Sequence, residues 1–114
     1  MEAAAVKGIT PVGHLDIEGR RFGEGQIGAH QPHECVGPDN LVYAAWFSGG
    51  LRVIDISNPY RPEEVACYVP KPAPGFRSAQ TNDLFVDAKG LIYTIDRNNG
   101  LDILKLSRPG KGKQ

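Results

Sequence analysis

Gly50-Leu51-Arg52-Val53-Ile54-Asp55-Ile56-Ser57-Asn58-Pro59 and Gly100-Leu101-Asp102-Ile103-Leu104-Lys105-Leu106-Ser107-Arg108-Pro109 stand fifty residues apart and follow one plan: a glycine, a β-prone hydrophobic run, then Ser-x-Pro. Working outward from them, residues 29–59 overlay residues 79–109 without a gap. Ala29 matches Ala79, Val36 matches Val86, Leu41 matches Leu91, Tyr43 matches Tyr93 and Leu51 matches Leu101. Val42 with Ile92, Val53 with Ile103 and Ile54 with Leu104 are conservative pairs. Self-similarity at a fixed period marks one supersecondary unit used twice, each copy burying a hydrophobic face on its neighbour.

Punctuation divides each copy into strands. In the first copy a strand is expected over 33–36, then turn chemistry at Gly37-Pro38-Asp39-Asn40, a strand over 41–46, a glycine-closed turn at Phe47-Ser48-Gly49-Gly50 and a strand over 51–56. Two prolines exclude Ser57-Asn58-Pro59-Tyr60-Arg61-Pro62 from a strand interior, and residues 63–69 make the fourth strand. The second copy gives strands over 82–87, 91–96 and 101–107 and stops where its fourth would begin. Residues 9–17, with Pro11 followed by alternation, supply a matching outer strand. The expected fold is therefore all-β. It has two four-stranded β-propeller blades per chain: an outer strand at 9–17, a full blade at about 29–70 and a second blade at about 79–107, between flexible ends at 1–8 and 108–114. Two blades do not close a propeller, which takes about four to eight. A closed six-bladed ring is expected by homo-oligomerisation as a cyclic homotrimer, with the N-terminal strand of one subunit exchanged into the second blade of the next. A dimer, a tetramer, a fragment of a longer propeller and pairing with a different chain stay open.

Composition narrows the classes of partner. The chain has 114 residues and 12.4 kDa, room for one small domain, and its 13 basic and 13 acidic residues balance, which argues against nucleic acid. No apolar run approaches the ~20 residues of a membrane span. The opening residues lack the pattern of a secretory signal, which makes a cytoplasmic location the default expectation.

With these residues in place, Gly50 to Pro59 resembles the LVIVD-repeat proteins, β-propellers whose blades carry Gly-Leu-x-(Val/Ile)-(Val/Ile)-Asp-(Val/Ile)-Ser-x-Pro. The second copy departs from that signature at Lys105, where the signature has Asp, and is similar to the C-terminal blade of a larger member. The resemblance covers residues 29–109, and it implies a fold more firmly than an activity. The His-rich stretch also resembles, more distantly, the selenium-binding or methanethiol-oxidase propellers, which use histidines near the channel.

Chemistry concentrates in His30-Gln31-Pro32-His33-Glu34-Cys35. His30, His33 and Glu34 are the candidate ligands for zinc or copper, against ordinary hydrogen bonding at strand ends. Alternation along a strand sends His33 and Glu34 to opposite faces, which opposes a shared ion. Cys35 and Cys67 fall on the innermost and outermost strands of one blade, three spacings of about 4.8 Å apart, so no disulfide is expected and both are expected as buried thiols. Tyr43, Trp46, Phe47 and Phe85 are expected to pack blade against blade. The loops at 71–80 and 97–99 should gather on one face, bringing Arg77 and Arg97 near His30, His33, Glu34 and Asp83 in a site for a small anion or a partner's carboxylate. The first expectation for function is a non-enzymatic binding or assembly module needing no cofactor. The alternative is a metal-dependent, oxidoreductase-like enzyme using channel histidines.

Overall fold

The repeat position that follows each first hairpin strand is held by a residue able to take a left-handed backbone, Asn40 (φ 59°) in one copy and Gly90 (φ 90°) in the other. Each donates its N–H three residues back, to the carbonyl of Gly37 at 3.1 Å and of Asp87 at 3.0 Å. The β-prone runs Leu41-Val42-Tyr43 and Leu91-Ile92-Tyr93 then start in the same register. A computed structural model describes residues 8, 10–12 and 27–107 of the chain. These residues hold seven strands: β1 (Ile27–Pro32), β2 (Leu41–Phe47), β3 (Leu51–Asp55), β4 (Glu63–Tyr68), β5 (Thr81–Val86), β6 (Leu91–Asp96) and β7 (Gly100–Lys105).

All pairings are antiparallel. The first copy is a four-stranded meander, β1-β2-β3-β4, and the second a three-stranded one, β5-β6-β7. A single bridge, Phe47 to Thr81, joins the two into one sheet with the order β4-β3-β2-β5-β6-β7 and β1 alongside β2. The sheet folds back on itself. Leu41, Tyr43, Ala45, Leu51 and Val53 of the first meander share one core with Leu84 and Ile92 of the second, flanked by Ala66, Val86, Leu104 and Leu106. Each side chain of that size, once buried, contributes on the order of 1.5–3 kcal/mol. The result is an all-β, blade-like architecture of the kind the repeat implies, with blades of four and three strands.

Three expectations are corrected. The innermost strand of the first blade is β1 at Ile27–Pro32 rather than residues 33–36, because Pro32 has no N–H to continue the ladder. Beyond it the chain keeps one ladder bond, His33 N–H to the Tyr43 carbonyl at 2.8 Å, and then leaves the sheet. Cys35 and Cys67 are free, but both are exposed rather than buried: Cys35 lies in that departing loop and Cys67 on the edge strand β4. Phe85 stays out of the core between the blades and meets the first copy only at the His33 ring. It lies on the outward side of β5, 58% exposed. Of the expected outer strand at 9–17, residues 10–12 form no strand and the others lie outside the described residues, as do the ends at 1–7 and 108–114.

Candidate functional site at the loop end of the blades

Asp96 closes β6 with its side chain turned back onto the chain. One carboxylate oxygen accepts the Asn98 N–H at 2.8 Å, which forms the tight turn into β7. The other accepts the Gln80 N–H at 2.7 Å, while the Arg97 N–H donates to the Gln80 carbonyl at 2.9 Å. The 97–99 turn is thereby fastened to the entry of β5, and Asn99 Nδ2 reaches the Lys71 carbonyl at 3.4 Å. The 97–99 turn and the two ends of the 71–80 loop are thus hydrogen-bonded to one another.

This scaffold delivers Arg97 to a cluster with His30, Phe47 and Asn82. Arg97 Nη2 donates to Asn82 Oδ1 at 3.0 Å, and its guanidinium lies over the Phe47 ring, 5.4 Å from the centroid. His30 stacks on the same phenyl ring, with centroids 4.5 Å apart and planes tilted by 56°. Its Nδ1 lies 2.7 Å from the Asn82 carbonyl oxygen. A carbonyl oxygen only accepts, so the proton sits on Nδ1, and Nε2 is the acceptor of the neutral ring. His30 and Arg97 are both exposed, and together they present an imidazole and a guanidinium anchored by one asparagine. The Arg97 guanidinium can bind a carboxylate through charge-assisted hydrogen bonds, while Nε2 of the neutral His30 ring beside it accepts from a donor on the same ligand.

The other expected residues lie elsewhere. His33 sits farther along, its ring edge-on to Phe85 at 5.5 Å and 78°. It lines a cavity of about 290 Å³ with Cys35, Asp39, Tyr43 and Asp87. There the Tyr93 hydroxyl donates to Asp87 at 2.8 Å, which holds the Asp87 carboxyl below the usual carboxylate range, burial opposing and backbone amides assisting. Glu34 and Arg77 are exposed on loops, and Asp83 is exposed with its carboxylate accepting the Leu84 N–H at 2.7 Å. Of the three metal-ligand candidates, His30 and His33 thus face different partners. Among the described residues no group of three or more His, Cys, Asp or Glu side chains is placed to hold a metal ion. Asn82 and Asp96 were not singled out from sequence. The signal for Asp96 was present, since Asp-Arg-Asn-Asn-Gly is turn chemistry.

The stretch around Pro59 proves to be architectural. Asp55 Oδ1 accepts the Ser57 N–H at 2.7 Å, Asn58 Oδ1 accepts the Tyr60 N–H at 3.0 Å, and the Asn58 carbonyl accepts the Arg61 N–H at 2.9 Å. The Asp-x-Ser-Asn-Pro run therefore bends the chain from β3 towards β4 with its own side chains. Residues 39–69 match the LVIVD repeat. The match spans β2, β3 and β4, so the LVIVD repeat here is the outer three strands of the first blade together with the turn that Asp55 and Asn58 build. In the second copy Lys105 replaces the turn-building aspartate, and a lysine has no acceptor for the amide two residues on. No curated protein and no solved structure matches the chain with significance.

Proposed function

We propose that this chain is a binding or assembly module without catalysis of its own, an LVIVD-repeat unit that completes a propeller by joining copies of itself. The observation that carries the proposal is the inequality of the two blades. β7 ends the sheet with no strand beyond it among the described residues, while its counterpart β3 is flanked by β4. Beside that edge runs a groove of about 250 Å³ between the blades, lined by Leu51, Val53 and Ala66 on one wall and Ile92, Leu104 and Leu106 on the other. An extended segment added to β7 would satisfy its unpaired backbone groups and fill the groove with alternate side chains.

Residues 9–17 of a neighbouring copy have the needed alternation, with Ile9, Leu15 and Ile17 on one side. Contacts repeated by rotation then give a cyclic ring, and three copies give six blades. The His30–Arg97 pair at the loop end is the proposed seat of a small anionic ligand or a partner's carboxylate. No observation favours the metal-dependent oxidoreductase over this. Among the described residues no helix is long and apolar enough to cross a membrane.

Light scattering coupled to size exclusion is the test. A particle of about 37 kDa, three times the chain, is the expected result. A stable monomer at high concentration overturns the proposal.

A further inference from the structure

The exposed face of the second blade has a counterpart whose fate is known, because the same repeat positions occur in the first blade. Across β5, β6 and β7 the pairings Phe85–Tyr93–Ile103 and Ile95–Leu101 place five large apolar side chains on one side of the sheet. Four of them, Phe85, Ile95, Leu101 and Ile103, are 48% to 58% exposed. A row of that size left open on a sheet face marks an interaction surface rather than ordinary surface apolarity. The fifty-residue offset maps Tyr93, Ile95, Leu101 and Ile103 onto Tyr43, Ala45, Leu51 and Val53, which are at most 8% exposed. Those four are buried because the inward face of the second blade, with Ile92 and Leu104, lies on them.

Resting on the assembly proposed above, we infer that the outward face of the second blade docks on the outward face of the first blade of a second copy, repeating the packing that joins the blades within one chain. The same offset names the other side of the contact. The positions equivalent to Ile92 and Leu104 are Val42 and Ile54, which the β2–β3 pairing sets opposite one another on the side of the first blade away from the core. Both are half-buried. Val42 and Ile54 occur once per chain and belong to its other blade, so a second copy must bring them. The contact joins unlike faces, head to tail. It can propagate around a ring and leaves no face uncovered once the ring closes.

The full chain carrying Ile103→Glu tests this by light scattering and circular dichroism. Ile103 is exposed, so the variant keeps the wild-type spectrum, and the particle is expected to fall to the 12.4 kDa monomer. Val42→Glu, on the face of the first blade away from the core, is expected to do the same. Mixed in equal amounts, the two variants each retain one intact face and should pair as dimers of about 25 kDa, because only a contact between unlike faces survives such mixing. An Ile103→Glu particle of wild-type mass overturns the docking face and leaves assembly standing. A mixture that stays monomeric overturns the head-to-tail geometry. A monomeric wild-type chain overturns the assembly itself and this contact with it.

Discussion

The two blades are built from one repeat and solve the same problem to different degrees. In the first blade strand β3 buries side chains on both of its faces. Leu51 and Val53 enter the core on one side, and on the other Arg52 is fully buried, its Nε on the Gly49 carbonyl at 2.8 Å and its Nη1 on Glu64 of β4 at 2.8 Å. In the second blade β7 has no strand beyond it among the described residues and an exposed face, and the residue at the position of Arg52 is Asp102. Asp102 turns instead to Tyr68 across the blades, where burial first and then the aspartate's charge and hydrogen bond push the phenol up. The fourth strand is therefore more than an extra ladder. It supplies the carboxylate that lets a repeat bury a charged side chain, and a blade without it stays open to whatever covers it.

The largest effect that would sharpen this contrast lies in the ion pair. Glu64→Ala removes the carboxylate facing a fully buried guanidinium and should cost about 3–5 kcal/mol in urea denaturation, the range for breaking a buried pair from one side. The double replacement Arg52→Met with Glu64→Leu should recover most of that loss, because an apolar pair carries no desolvation penalty. Asp102→Ala, at the equivalent position, should cost far less. Equal losses at the two positions would break the claim that β4 is what makes the first blade different.

Much of this architecture was legible in the chain. The strand boundaries expected from Leu41 onward fall within two residues of those observed, because turn residues act through local backbone preferences that a sequence carries openly. The asymmetry of the blades was legible too, since Lys105 interrupts the signature in the second copy. What escaped was set by tertiary packing. β1 sits at Ile27–Pro32, not at 33–36, because pairing with β2 outweighs the local pattern after Pro32. Alternation places Arg52 opposite Leu51 and Val53, which reads as a solvated position until Glu64 is brought beside it by the bulged pairing of β3 with β4. At the candidate site, the loop residues Arg97 and His30 were found from sequence. Asn82, which ties them together, was not, because its role depends on a contact between strands fifty-two residues apart.

Gly50 and Gly100 give a second, smaller comparison at one repeat position. Both have left-handed backbones, φ 74° and φ 83°, so an alanine at either site is strained by about 1–2 kcal/mol. At Gly50 an added Cβ would also run into the Tyr68 carbonyl of β4, with the Val69 Cα at 2.8 Å, and backbone atoms there cannot turn aside. At Gly100 it would meet nothing within 4 Å, since among the described residues no strand lies beside β7 in that place. Gly50→Ala should therefore lose about 3 kcal/mol and Gly100→Ala about 1, measured by thermal or urea unfolding. If the assembled protein instead shows equal losses, the neighbour's strand has come as close to Gly100 as β4 does to Gly50.

The smallest effect concerns the turn before the second strand of each blade. In the second blade Asp87 organises that turn alone: one carboxylate oxygen accepts the Lys89 and Leu91 N–H groups, both at 2.9 Å, and the other accepts the Tyr93 hydroxyl. The first blade has Gly37 at the position of Asp87 and uses Asp39 instead, whose carboxylate accepts the Leu41 N–H at 3.2 Å. Because the Tyr93 hydroxyl is the main cause holding Asp87 below the usual carboxylate range, the folded state binds a proton there less readily than the unfolded chain. The stabilisation is complete above the ordinary carboxylate range and is lost as pH falls through the lowered value in the folded state. Tyr93 mirrors it, its phenol raised first by the same bond, so its share is complete below the ordinary phenol range and lost as pH rises through the raised value. Tyr93→Phe removes that bond and leaves only the amides on Asp87. Followed by NMR titration, the Asp87 carboxyl should move back towards its ordinary range, and the acid limb of stability against pH should become shallower than in the wild type. The site is open to solvent, so the change in stability will be slight and the titration is the sensitive readout. An Asp87 carboxyl that titrates unchanged in Tyr93→Phe would mean that the backbone amides alone shape this turn, and that the two blades differ less here than their sequences do.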